Sequence, residues 1–119
     1  MSSRSSDGLE LPLKPATFLI LLALAEGERH GYALKKAVRQ KTGGQLSLGP
    51  ASLYRSLHQL AEAGLIEESD RRPAPELDDD RRRYYRLTAA GRDLAGAEAR
   101  RLADLVGAAR AARLIDETV

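Results

Sequence analysis

Phosphate binding is the chemistry that the charged residues of this chain could do. Lys35, Lys36, Arg39, Lys41 and Arg55 stand within residues 31–64, where Glu62 is the lone acid. Elsewhere the signs nearly cancel: residues 65–87 hold six arginines and seven acids, and residues 88–119 hold five of each. The whole chain carries only +2, so the information lies in the distribution. A positive segment of this kind is the electrostatic footprint that a polyanion requires. Further arginines flank a charged stretch, Arg71 and Arg72 on one side, Arg81, Arg82 and Arg83 on the other.

Other chemistries fail on spacing or residue type. The chain has no cysteine, which removes a thiol nucleophile, a disulfide framework and a thiolate-bound zinc. His30 and His58 are isolated and lack the close pairing of a histidine metal site. Glu67 and Glu68 fall side by side in an expected strand, where neighbours face opposite ways, so they cannot work as a carboxylate pair. Ser47 and Gly49 do not form the G-x-S-x-G turn of a hydrolase nucleophile. An enzyme is therefore not expected, nor a metal or other cofactor.

The chain has 119 residues, of which 43% are hydrophobic and 30% charged. That is the size of one domain, able to bury roughly two-thirds of its unfolded surface. Zero cysteine fits a reducing compartment, and the expected location is the cytoplasm. Ala16–Ala25 is apolar apart from Thr17, but it is far shorter than the roughly 20 residues of a membrane span. Ala23-Leu24-Ala25 resembles a leader cleavage site, yet Asp7 and Glu10 lie where a leader is basic, and Pro15 opens the run. A buried helix is the better reading, and no membrane partner is expected.

These residues need elements to position them. Residues 1–13 read as a flexible arm, with Leu9, Leu11 and Leu13 alternating so that its end could dock. A first helix is expected over Pro15–Glu26. It is apolar on nearly every side and so asks for cover from a second subunit, with Phe18 and Leu22 facing it. Residues 27–31 read as a turn by their glycines. Ala33, Leu34, Ala37 and Val38 mark one face of a second helix, Tyr32–Lys41, with Lys35, Lys36 and Arg39 on the other. A third helix starts near Pro50, capped by Ser47, with Leu53, Leu57 and Leu60 as its core stripe and Gly64 as its stop. Two strands, Leu65–Glu68 and Arg83–Leu87, flank the charged loop and make a hairpin. Thr88 caps a last helix, Ala89–Ile115. Ala95, Leu102 and Ala109 recur every seven residues, Leu105 and Ala112 add a second column that Glu98 interrupts, and Leu94 and Val106 widen it. So long a stripe is expected to meet another chain.

Helix, helix, helix, strand, loop, strand, helix is a mainly α layout, that of a winged helix-turn-helix. In such a fold the third helix enters the major groove and the hairpin is a wing. Pro50, Ser52, Tyr54 and Arg55, with Ser47 just upstream, then face DNA, while Lys35, Lys36 and Arg39 lie along a flanking backbone. Bland alternatives stay open. Tyr54 could be a half-buried helix aromatic, the lysines ordinary surface charge, and Arg81–Arg83 partners of Asp78–Asp80.

His30-Gly31-Tyr32-Ala33-Leu34, Gly49-Pro50-Ala51-Ser52-Leu53-Tyr54, Leu60-Ala61-Glu62-Ala63-Gly64-Leu65-Ile66 and Arg83-Tyr84-Tyr85-Arg86-Leu87-Thr88-Ala89-Ala90-Gly91-Arg92 resemble the PadR family of transcriptional regulators, in that order. The resemblance covers about Lys14 to Arg92. It implies a winged-helix DNA-binding domain over 14–87, a C-terminal dimerisation helix over 88–119, and a homodimeric repressor on a palindromic double-stranded operator. Ser52 and Tyr54 match its recognition-helix positions, Tyr84 and Tyr85 its wing-strand aromatics, and Tyr32 a tyrosine of the second helix. The chain departs in having Arg55 where proline is common and an acidic tip, Asp78-Asp79-Asp80, where glycine is usual. Some members take a small flat aromatic effector in a tryptophan-lined pore at the dimer interface; this chain has no tryptophan. A winged helix serving protein interaction or ligand sensing, with weak DNA affinity, is the alternative.

Overall fold

The computed structural model describes residues 9–69 and 83–116. Its elements run α1 (Pro15–Ala25), β1 (Arg29–His30), α2 (Gly31–Lys41), α3 (Pro50–Glu62), β2 (Ile66–Glu68), β3 (Tyr84–Leu87) and α4 (Ala89–Ala111). The winged helix-turn-helix layout is present. The wing has three strands rather than two, all antiparallel in the order β1-β3-β2. Arg29 and His30, read from sequence as a turn, pair with Tyr85 and Tyr84 of β3. Two residues are too few to show an alternating pattern, and their pairing is supplied by a strand more than fifty positions away.

The core stripe of α3 packs on α2 and β2 and joins one buried cluster with α1. Ile20, Leu21, Leu34, Val38, Leu53, Leu57, Leu60 and Ile66 are each almost wholly buried. On the wing, neighbours face opposite ways. Tyr85 packs toward this core, while Tyr84 meets His30 edge to face at 5.3 Å.

Local chemistry sets the helix starts. His30 caps α2, its Nδ1 accepting from the Ala33 N–H at 3.1 Å, so the helix begins one residue before the sequence reading. Pro50 is the first residue of α3, as its fixed φ favours. The cap, however, is Gly49 and has no side-chain bond. The expectation of Ser47 as cap is corrected: Pro50 fixes where the helix starts, and Ser47 stands too far upstream. Gly64 ends α3 at φ +78, with the Leu65 N–H reaching the Leu60 carbonyl and the Gly64 N–H that of Ala61, the glycine-terminated Schellman geometry.

Thr88 ties the wing to α4. Its Oγ1 accepts from the Gly91 N–H at 3.0 Å and donates to the Gly64 carbonyl at 2.7 Å. Its own N–H bonds the Leu65 carbonyl. Thr88→Ala removes a cap and a cross-link together, and a loss of about 1–2 kcal/mol is expected. Thr88→Ser should restore most of it in thermal melts; equal melting of the alanine variant and wild type would contradict this role.

The far end of α4 comes at Ala111, four residues before the sequence expectation. Arg113 adopts φ 64, and the Leu114 N–H closes onto the Ala109 carbonyl. No glycine marks the stop, so the pattern of small residues conceals it. At the other terminus, Leu9 and Leu13 are buried and Leu11 is exposed, so the end of the arm docks by alternate side chains. Glu98, the interruption in the α4 column, explains where. It is 2% exposed and takes two bonds of 2.7 Å from Arg101. Those bonds, with the Leu13 N–H, hold its carboxyl below the ordinary carboxylate range against the opposing pull of burial.

Candidate nucleic-acid interface

Two helices build the cationic front. On α2, Leu34, Ala37 and Val38 are buried, which turns Lys35, Lys36 and Arg39 away from the core. No acid among the described residues pairs with any of the three. Lys41 differs: it bonds Glu26 at 2.6 Å. That contact, helped by Arg29, holds the Glu26 carboxyl below its usual range.

On α3, Leu53, Leu57 and Leu60 are buried. At 100° per residue Arg55 lies almost opposite that stripe, and it is exposed, as are Pro50, Ala51 and Ser52. The first two turns thus present small side chains around one long guanidinium. A Cβ placed on Gly31 would stand 2.8 Å from the Tyr54 hydroxyl. The Tyr54 ring therefore lies across the start of α2, and the side chain is half-buried. Ser47 is exposed just ahead of α3. At the other end of α3, Glu62 pairs with His58 at 3.4 Å, which makes that end unattractive to phosphate.

The base of the wing is paired. Arg83 meets Glu68 at 3.0 Å, and Arg86 meets Glu67 at 2.7 Å. Ser69, buried, donates to Glu28 at 2.7 Å and pins the wing to the turn after α1. Arg71, Arg72, Arg81, Arg82 and Asp78–Asp80 lie outside the described residues.

A second surface is apolar. Phe18 and Leu22 on α1 line a groove with Leu87, Ala95, Gly96 and Ala99, and Arg92 stands in its wall. Ala95 is already mostly covered by its own chain. Leu102 and Ala109 are half-covered, and Leu105 and Val106 are 54% and 40% exposed. From Ala99 to Ala111 no residue of α4 is buried. Among the described residues no cluster suits a metal ion, and no helix is long and apolar enough to cross a membrane.

Sequence reasoning missed His30 as a cap and Glu98 as the arm's anchor. The second had a signal, a lone acid inside an apolar column. The first had little, because histidine is an infrequent cap.

The profile of the Transcriptional regulator PadR-like family matches residues 20–97. A curated relative, an uncharacterized 37.1 kDa protein in transposon Tn4556 of Streptomyces fradiae, is 42% identical over 92 residues. That stretch is 77% of this chain and 24% of the relative, so the chain spans about a quarter of that protein's length. Among solved structures, a PadR family transcription regulator from Clostridium difficile superposes with a TM-score of 0.68 at 22% identity, covering 82% of this chain and 96% of the other. Bacillus subtilis PadR in complex with operator DNA gives 0.61 at 23% identity, covering 71% and 46%. At such identities the two structures speak for the fold.

Proposed function

The chain belongs to the PadR-like family of transcriptional regulators, which are not enzymes, and from that premise we propose that it is a homodimeric repressor reading a palindromic operator through α3. The observation that carries this reading is the front of α3. Ser52 and Arg55 stand exposed beside small neighbours, and α2 carries three cations that no described acid neutralises. The major groove admits one helix, and the exposed Arg55 guanidinium would suit the two acceptors of a guanine edge. Lys35, Lys36 and Arg39 lie on the flanking backbone, with Ser47 and Pro50 at the groove mouth. Arg83, with Arg81 and Arg82, belongs to the neighbouring contact of the wing. The two half-sites lie about one helical turn apart. The operator complex of the Bacillus subtilis relative supports a duplex as the partner.

The dimer is formed by α4, through Leu102, Leu105, Val106 and Ala109, with Phe18, Leu22 and Ala95 at the groove along α1. In that arrangement the groove is the place where a small aromatic effector would sit and release the operator. Arg92 in its wall would suit an acidic one.

Titration of the purified chain against DNA upstream of its own coding sequence tests this. Affinity is expected to fall steeply between about 50 and 200 mM salt, as counterion release requires. Arg55→Ala is expected to cost about 1–3 kcal/mol and to relax preference at one base pair. A flat salt response, or an unchanged preference, would count against the assignment. The paired wing arginines, Arg83 with Glu68 and Arg86 with Glu67, favour one other reading, a winged helix used for protein interaction or ligand sensing. Affinity equal on upstream and scrambled duplexes would support it.

A further inference from the structure

Tyr32 is the most exposed tyrosine among the described residues, 65% open to solvent one residue inside the start of α2. It is nevertheless held in place. Its ring stacks on the His30 imidazole, centroids 6.4 Å apart and planes 23° from parallel. His30 is itself fixed twice, by the Ala33 N–H on its Nδ1 and by the edge of Tyr84, its cross-strand neighbour on β3. Cap, wing strand and tyrosine thus form one small assembly at the positive end of a helix.

Tyr32, Lys35, Lys36 and Arg39 follow at i, i+3, i+4 and i+7, which is one helical face. The four line a common shallow hollow. Among the described residues none of their four side chains has a hydrogen-bond or ion-pair partner. Three cations without an acid call for an anion. From Tyr32 to Arg39 the helix rises about 10 Å, and successive phosphates of one DNA strand rise about 3.4 Å along its axis. The face therefore matches a short run of strand phosphates better than a single free anion.

We propose that Tyr32, positioned by His30, donates its phenol hydrogen to a backbone phosphate of duplex DNA, at one end of a phosphate track completed by Lys35, Lys36 and Arg39. This rests on the DNA-binding reading above and adds to it a contact that carries no sequence information.

Tyr32→Phe keeps the ring and its stack and removes the hydroxyl alone. The full chain is titrated against two duplexes of about 30 base pairs, one from its own upstream DNA and one scrambled, over a range of salt. The variant is expected to bind both about three- to tenfold more weakly, with an unchanged slope of affinity against salt because no charge is lost. Lys36→Gln is expected to lower that slope by about one. Tyr32→Phe binding like wild type, or losing affinity on the upstream duplex alone, would overturn the proposal. His30→Asn keeps a cap acceptor but not the ring. Unchanged melting with the same uniform loss supports the positioning role, and unchanged affinity refutes it. If wild type binds both duplexes equally and Tyr32→Phe weakens both, the phosphate contact stands and the sequence-specific regulator does not. If wild type binds neither, both fall.

Discussion

Gly91→Ala is expected to destabilise the chain by about 3 kcal/mol or more, at or beyond the upper end of overpacking costs. A Cβ built on Gly91 would stand 2.0 Å from the Leu65 carbonyl oxygen, 3.0 Å from its carbon and 2.8 Å from the Leu87 Cδ1. The leucine methyl can move, but the carbonyl cannot, because it accepts the Thr88 N–H. The first turn of α4 must then lift away from the end of β3, and the Thr88 cap goes with it. A loss of that size is a large share of the roughly 5–15 kcal/mol that holds a domain together. Gly96→Ala, five residues on in the same helix, is the internal control. Its Cβ meets only Arg100 Nη1, at 3.5 Å, and removing a helix-interior glycine is expected to gain about 0.5–1 kcal/mol. Urea midpoints should move in opposite directions. A shared direction would mean that the close approach of α4 to Leu65 is not what makes glycine necessary.

Gly91 also shows what a sequence conceals. Its glycine is visible, but the obstacle is a carbonyl 26 positions earlier, and no local pattern points there. Elements with their own periodicity were legible: the Leu53, Leu57, Leu60 stripe placed α3, and Pro50 and Gly64 marked its ends. Elements defined by a partner were not. β1 exists because β3 pairs with it, and α4 stops at an arginine in a left-handed conformation where a glycine would have been the sign. The candidate interface divides the same way. Lys35, Lys36 and Arg39 could be placed opposite Leu34 and Val38 by counting. That Tyr54 leans on Gly31, and that Tyr32 is held by a histidine capping its own helix, depends on two helices and a strand meeting in space.

Leu105→Asp carries the other large expected effect. Leu105 is 54% exposed on the part of α4 where no residue is buried, so its replacement takes no contact from the core. In the proposed dimer, Leu105 shares a stripe with Leu102, Val106 and Ala109 that a second copy of the chain would cover. An aspartate there would have to be desolvated against its symmetry mate or against apolar neighbours. The variant is expected to be monomeric by light scattering, with unfolding of its winged-helix part little changed. Operator affinity is expected to fall about 10²–10⁴-fold, because two half-sites would no longer be engaged by linked recognition helices. Arg55→Ala, by contrast, should leave the dimer intact and weaken binding through one base pair, so the two variants separate assembly from reading. A Leu105→Asp chain that still measures as a dimer would move the subunit contact elsewhere. One that is monomeric yet binds the operator undiminished would show that a single α3 suffices.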